Sequence, residues 1–179
     1  MTARYPLVLN GSTVQELQSS DDLATTSITT GSSSTAGTIT GNWSLSASSK
    51  LQATYADLAE YYAADKEYAV GTVLVFGGDA EVTTTTIFGD TRLAGVVSEN
   101  PAYTMNSALG GTRANIALQG RVLCKVVGRV QKGDLLTTAG VAGHAAKAIE
   151  PKVGAIVGKA LANKDTVEAG LVEVSVGRT

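Results

Sequence analysis

Cysteine, histidine and aromatic residues are scarce in this chain, and each scarcity removes a kind of chemistry. The 179 residues contain one cysteine, Cys124, and one histidine, His144. A single cysteine forms no intramolecular disulfide and builds no cysteine-ligated zinc site. A single histidine without a cysteine pair supplies no converging ligand set. No motif places a nucleophile and a carboxylate around it as a catalytic triad requires. The formal net charge is -2, so nothing argues for nucleic acid, which calls for a basic patch or stripe. No apolar run approaches the roughly 20 residues of a membrane helix. The opening MTARYPLVLNG lacks the apolar core and small-residue cleavage site of a secretion signal. These absences predict a soluble protein made in a cytoplasm, without membrane insertion.

What the chain does have is glycine, 20 residues of it, and many threonines, a composition that suits an all-β protein with many turns. The organising stretch is Ile116 to Gly140. Its even positions Val122, Cys124, Val126, Gly128 and Val130 are apolar, and the odd positions Arg121, Leu123, Lys125, Val127, Arg129 and Gln131 are mixed. A strand produces that pattern because successive side chains point to opposite faces.

In chain order, residues 1–18 hold a short β run, Leu7-Val8-Leu9, closed by the turn pair Asn10-Gly11. Val14 to Leu17 reads as a second short strand or a single helical turn. Such a piece is too small to bury a core alone, so it is expected to dock on another subunit or a larger assembly. Residues 19–49 are dominated by Ser, Thr and Gly. One reading is a disordered linker. The other is a thin shaft in which three intertwined chains bury a line of spaced apolar residues: Leu23, Ile28, Ile39, Trp43 and Leu45. Trp43 reads as a packing anchor before a sugar platform. In residues 50–62 the spacing of Leu51, Tyr55, Leu58 and Tyr62 gives one helical stripe, a short coiled-coil seam. The competing reading there is an extended segment with alternating aromatics.

Residues 63–179 read as a β-rich globular head. Its expected strands are Gly71–Phe76, Glu81–Phe88, Leu93–Ser98, Ile116–Gly120, Arg121–Val130, Asp134–Thr138, Val153–Leu161 and Leu171–Val176. Glycine-containing turns separate them, and the spacing predicts a β-barrel or β-sandwich. The run from Gly154 to Lys159 resembles a phosphate loop. It is one residue short between its glycines and has Ala160 where Ser or Thr would hold magnesium, so a strand with close-packed glycines is expected. Cys124 is expected to be a small buried hydrophobe, and His144 a loop residue. Asp57, Glu60, Asp65 and Glu67 flank Tyr55, Tyr61, Tyr62 and Tyr68 and read as a solvated face rather than an acid–base pair. Arg121, Lys125 and Arg129 share one strand face and are suited to acidic groups across a subunit boundary or to an anionic surface.

Several stretches resemble bacteriophage tail-fibre and baseplate-attached fibre proteins. ARYPLVLNGSTVQELQSSD looks like the opening by which such proteins attach to the particle. YADLAEYYAADKEYAVGTVLVFGGDAEV, DTRLAGVVSENPAYTMNS, IALQGRVLCKVVGRVQKGDLLTTAG and VGAIVGKAL look like a C-terminal head found on many phage fibres. The head is also similar to a group that includes self-cleaving intramolecular chaperone domains of phage appendages, which assist trimerisation and are then released by a cut near their start. No serine or asparagine in residues 50–62 sits in a cleavage motif, so a retained head is expected.

The resemblance implies a mostly β homotrimer. Residues 1–18 would attach it to baseplate or other tail proteins, residues 19–62 would form an intertwined shaft with a short helix at its end, and residues 63–179 a head. It implies a structural, non-enzymatic virion protein of the tail that contributes to attachment at a host-surface glycan. The alternatives are a trimerising chaperone head with autoproteolytic activity and a capsid decoration protein. No catalytic, cofactor-binding or metal-ligating residue is assigned and no cofactor is implied. If the head binds a host, Tyr103, Asn106 and the turn Gly89–Arg92 are the loop positions that would reach it.

Overall fold

The structure is a computed structural model and describes residues 7–10, 13–16, 31–32, 35–36 and 44–177. The chain divides into two compact units, Met1–Lys50 and Leu51–Thr179. No helix occurs among the described residues.

In the first unit β1 (Leu7–Asn10) pairs antiparallel with β2 (Thr13–Glu16), in a register that runs from Leu7↔Glu16 to Asn10↔Thr13. The second run is therefore a strand and not a helical turn. A second small pair joins β3 (Gly31–Ser32) to β4 (Thr35–Ala36). Trp43, Leu23, Ile28 and Ile39 lie outside the described residues.

The second unit is built from ten strands in one sheet. They are β5 (Asp57–Ala63), β6 (Val73–Phe76), β7 (Val82–Thr83), β8 (Leu93–Val97), β9 (Tyr103–Met105), β10 (Arg113–Val126), β11 (Leu135–Thr138), β12 (Ala145–Lys147), β13 (Ile156–Ala160) and β14 (Gly170–Val176). The strand order β12-β11-β13-β14-β10 closes on itself through a parallel bridge between Val126 and Ala145. The result is a five-stranded barrel, which decides between the two head architectures expected from sequence. Closure removes the open edges that leave backbone groups unpaired.

β10 carries the design. Its second half pairs with β14 from Gly120↔Val176 to Val126↔Gly170 and belongs to the barrel. Its first half pairs with β5 along one edge and with β8 along the other, extending the sheet through β6 to β7. The expected break at Gly120 is absent: β10 runs through it, with Gly120 paired to Asp57 and to Val176, and the bulge lies at Leu118, where the register to β5 shifts between Ala117 and Gln119. Gly120 has φ +118°, and a Cβ there would lie 2.1 Å from the Ala56 carbonyl oxygen. Only glycine lets β5 approach that closely.

The alternation read from sequence is the packing. Val122, Cys124 and Val126 point into the barrel core with Leu136, Val157, Val172, Val174 and Val176, and Val130 joins them just past the strand end. A second cluster of Ala64, Leu74, Val82, Val97, Ala114 and Ile116 fills the extended part of the sheet, backed by Tyr62 and Tyr68.

Two expectations about local structure are corrected. The helical stripe Leu51–Tyr62 does not form: Asp57–Ala63 is a strand in which Asp57 and Ala59 are buried while Leu51 and Tyr55 stand exposed. Fewer than two heptads cannot hold a helix alone, whereas pairing with β10 satisfies the same backbone. The strand expected over Glu81–Phe88 ends at Thr83. Beyond it Thr85 Oγ1 donates to Asp90 Oδ2 (2.9 Å) and accepts from Ile87 N (3.1 Å), and these local bonds replace a ladder.

Candidate functional site

Two surface features of the second unit combine shape with chemistry. The first is an apolar edge along the loop Ala148–Gly154. A groove of about 510 Å³ is lined by Leu93, Leu135, Pro151, Lys152, Val153, Gly154 and Ile156. It continues into a smaller one beside Phe88, Gly89, Ile149 and Glu150, with Lys152 lining both. Val153 is 99% exposed and Ile149 81%. Val153 was expected inside a strand, but β13 begins only at Ile156. The loop is set by Gly154, whose Cβ would meet the Thr91 carbonyl oxygen at 2.8 Å.

The second feature is a cleft of about 270 Å³ between the start of β5, the end of β8 and the paired β10 and β14. Tyr55, Asp57, Ser98, Glu99, Asn100, Arg121 and Glu173 line it. Asp57 is 5% exposed. Its backbone is clamped by the Gly120 approach on one side and by Ala102 N, which donates to Asp57 O at 2.7 Å, on the other. No protein donor reaches its buried Oδ2. Arg121 Nη1 lies 3.9 Å from Glu173 Oε2, both side chains exposed.

The residues singled out from sequence separate into structural roles. The Cys124 thiol is buried, and burial pushes its pKa up to about 12, so it is unreactive packing. His144 Nδ1 lies 2.9 Å from the Ala142 carbonyl oxygen in a turn. The phosphate-loop lookalike is β13: a Cβ on Gly158 would fall 2.2 Å from the Ser175 carbonyl oxygen, so this glycine serves strand packing. Lys125 Nζ donates to Thr72 Oγ1 (2.8 Å), and Arg129 Nε donates to the Asp165 carbonyl (2.8 Å). With Arg121 near Glu173, each of the three cations has a partner within its own chain.

The acidic and tyrosine residues do not form one face. Asp65 accepts from Tyr68 OH (2.5 Å) and Thr83 Oγ1 (2.8 Å), and the Tyr68 bond is the main cause that lowers its pKa. Tyr62 donates to Glu60 Oε2 (2.9 Å), and burial first, then this bond, pushes its pKa up to about 12. Tyr61 lies under the Arg113 guanidinium, 4.0 Å from its ring centre.

Among the loop positions, Tyr103 is exposed on β9. Asn106 caps a turn at φ +54° and its Nδ2 donates to the Tyr61 carbonyl (2.9 Å). The Gly89–Arg92 turn is stapled by Asp90, which accepts from Arg92 Nη2 (2.7 Å), Arg92 Nε (3.1 Å) and Thr85. These bonds, led by Arg92, hold the Asp90 carboxyl far below the usual range.

Among the described residues no three His, Cys, Asp or Glu side chains converge as metal ligands. No protein-family model matches this chain, and no match among curated proteins was found.

Proposed function

We propose that this chain is a structural protein of a bacteriophage particle, a homotrimeric tail or baseplate fibre whose head contributes to attachment at the host surface. One observation carries the reading: the apolar edge around Ile149 and Val153. Single exposed apolar residues are ordinary, but here two nearly bare aliphatic side chains adjoin Phe88 and a groove lined by Leu93, Leu135 and Ile156. Contiguous apolar surface of this kind marks an interaction site. The occupant is a further copy of the chain. Glu150 and Lys152 sit on the same loop, so a three-fold axis passing this edge gathers the aliphatic side chains of three copies and sets Glu150 of one against Lys152 of the next.

Two further points support the reading. The strands β1–β4 are two to four residues long, and isolated two-stranded hairpins of that size are marginal in water. The stretches that resemble phage fibres occur in fibre order along the chain. In this reading the chain is not an enzyme and needs no cofactor. Its residues 1–18 meet other tail proteins.

Sedimentation of the full-length chain beside an Ile149→Ser, Val153→Ser double variant tests the edge. The native chain is expected to sediment as three copies. The double variant should retain its β circular dichroism and shift toward one copy. Unchanged assembly of the double variant would remove this edge from the interface.

A further inference from the structure

Four successive carbonyls of the β13–β14 loop, Asp165 to Glu168, each accept from a nearby donor. Asp165 O takes Arg129 Nε (2.8 Å) and Val167 O takes Gly128 N (3.0 Å). Thr166 O (2.8 Å) and Glu168 O both accept from Lys164 Nζ. The same ammonium donates across to Gly128 O (3.1 Å), just past the end of β10. A lysine ammonium has three donors and no acceptor, and here three carbonyls from two segments of the chain match them. Charge-assisted bonds of this kind are stronger than neutral ones.

The lysine stem is held as closely as its head. Gly170 opens β14, and a Cβ there would lie 2.9 Å from Lys164 Cε. Gly170 pairs with Val126, and Val126 is the residue whose bridge to Ala145 closes the barrel. Beside that bridge Val127 N donates to Ala145 O (2.9 Å), while Val130 and Lys164 exchange both backbone hydrogen bonds (3.0 and 2.9 Å). The ammonium therefore anchors the end of β10 where the barrel seam is narrowest, a single residue pair. Three neutral carbonyls suit a monovalent cation, as in carbonyl-lined potassium sites. A divalent ion calls for more oxygens, carboxylates among them.

We infer that the Gly128, Thr166 and Glu168 carbonyls form a monovalent-cation site that the chain fills with its own Lys164 ammonium, and that the filled site latches the barrel seam. The latch lies within one chain and does not depend on assembly through the Ile149 edge.

Amide hydrogen exchange of the full-length protein, read residue by residue by NMR, tests it. Lys164→Met keeps the stem and removes the charge. Gly170→Ala keeps the lysine and pushes its stem aside. Each variant is expected to retain its β circular dichroism and to speed exchange at the Val127, Gly128 and Val130 amides by about tenfold or more. The Ala64 and Ser98 amides of the extended sheet should not change. In Lys164→Ala, ammonium or potassium chloride should restore slow exchange at the seam amides, and tetramethylammonium chloride at the same concentration should not. Native exchange rates in Lys164→Met, or an equal rise at every one of these amides, overturn the latch. A Lys164→Ala chain that responds to all of these salts alike, or to none, overturns the cation site.

Discussion

Burial decides the chemistry of Cys124. Its thiol sits among Val122, Val126 and Val172 in the barrel core, and desolvation raises its pKa to about 12, so the reactive thiolate is almost absent near neutral pH. Ellman's reagent at pH 8 is expected to leave the native chain unlabelled and to titrate one thiol after unfolding in guanidinium. Rapid labelling of the native chain would contradict the barrel packing. Asp90 makes the opposite case, a carboxylate held charged by its partners. Its folded pKa is depressed, first by the hydrogen bonds from Arg92. Its contribution to stability is therefore complete above the unfolded value of about 4 and is lost as pH falls through the folded value. Asp90→Asn should lower stability at pH 7 by about 2 kcal/mol and flatten its decline below about pH 4. Denaturant midpoints across that range check both. A variant as acid-sensitive as the parent would show that Asp90 contributes nothing to the slope.

β10 was legible because its alternation Val122, Cys124, Val126 against Arg121, Leu123, Lys125 admits one structure, a strand buried on one face. The glycine inside it misled, since a lone glycine marks a strand end or a bulge equally well. Here it is neither: the strand runs through Gly120, and the close approach of Ala56 and Asp57 is what requires glycine. Gly120→Ala would force a Cβ to 2.1 Å from a carbonyl at φ +118°. It is expected to destabilise the fold by about 1–3 kcal/mol, read as a lower denaturant midpoint; an unchanged midpoint would deny the close approach. β5 was ambiguous because Leu51, Tyr55, Leu58 and Tyr62 satisfy a helical period, and only the long-range partner β10 selects the strand. β12, Ala145-Ala146-Lys147, carries no β signal of its own; it exists because the barrel needs a fifth strand between β11 and β10. The Asp57 cleft draws on residues 55–57, 70, 98–100, 121–123 and 173. Asp57 and Arg121 both stood out in the sequence, but nothing local said that β5 and β10 would bring them together.

At the scale of the whole molecule, the head has closed its barrel and filled two cores, yet leaves Ile149 and Val153 in water. In the proposed reading, other copies of the chain cover these aliphatic residues on their glycine-set loop. Sharing between chains is the central claim of the proposed function, and in that reading it also covers the short paired strands before residue 50. The direct measurement is the solution mass of the full-length protein by light scattering, read beside boiled and unboiled samples on a denaturing gel. The account predicts three times the 18.2 kDa of one chain, with an unboiled band that resists detergent. A mass of one chain at every concentration would contradict it.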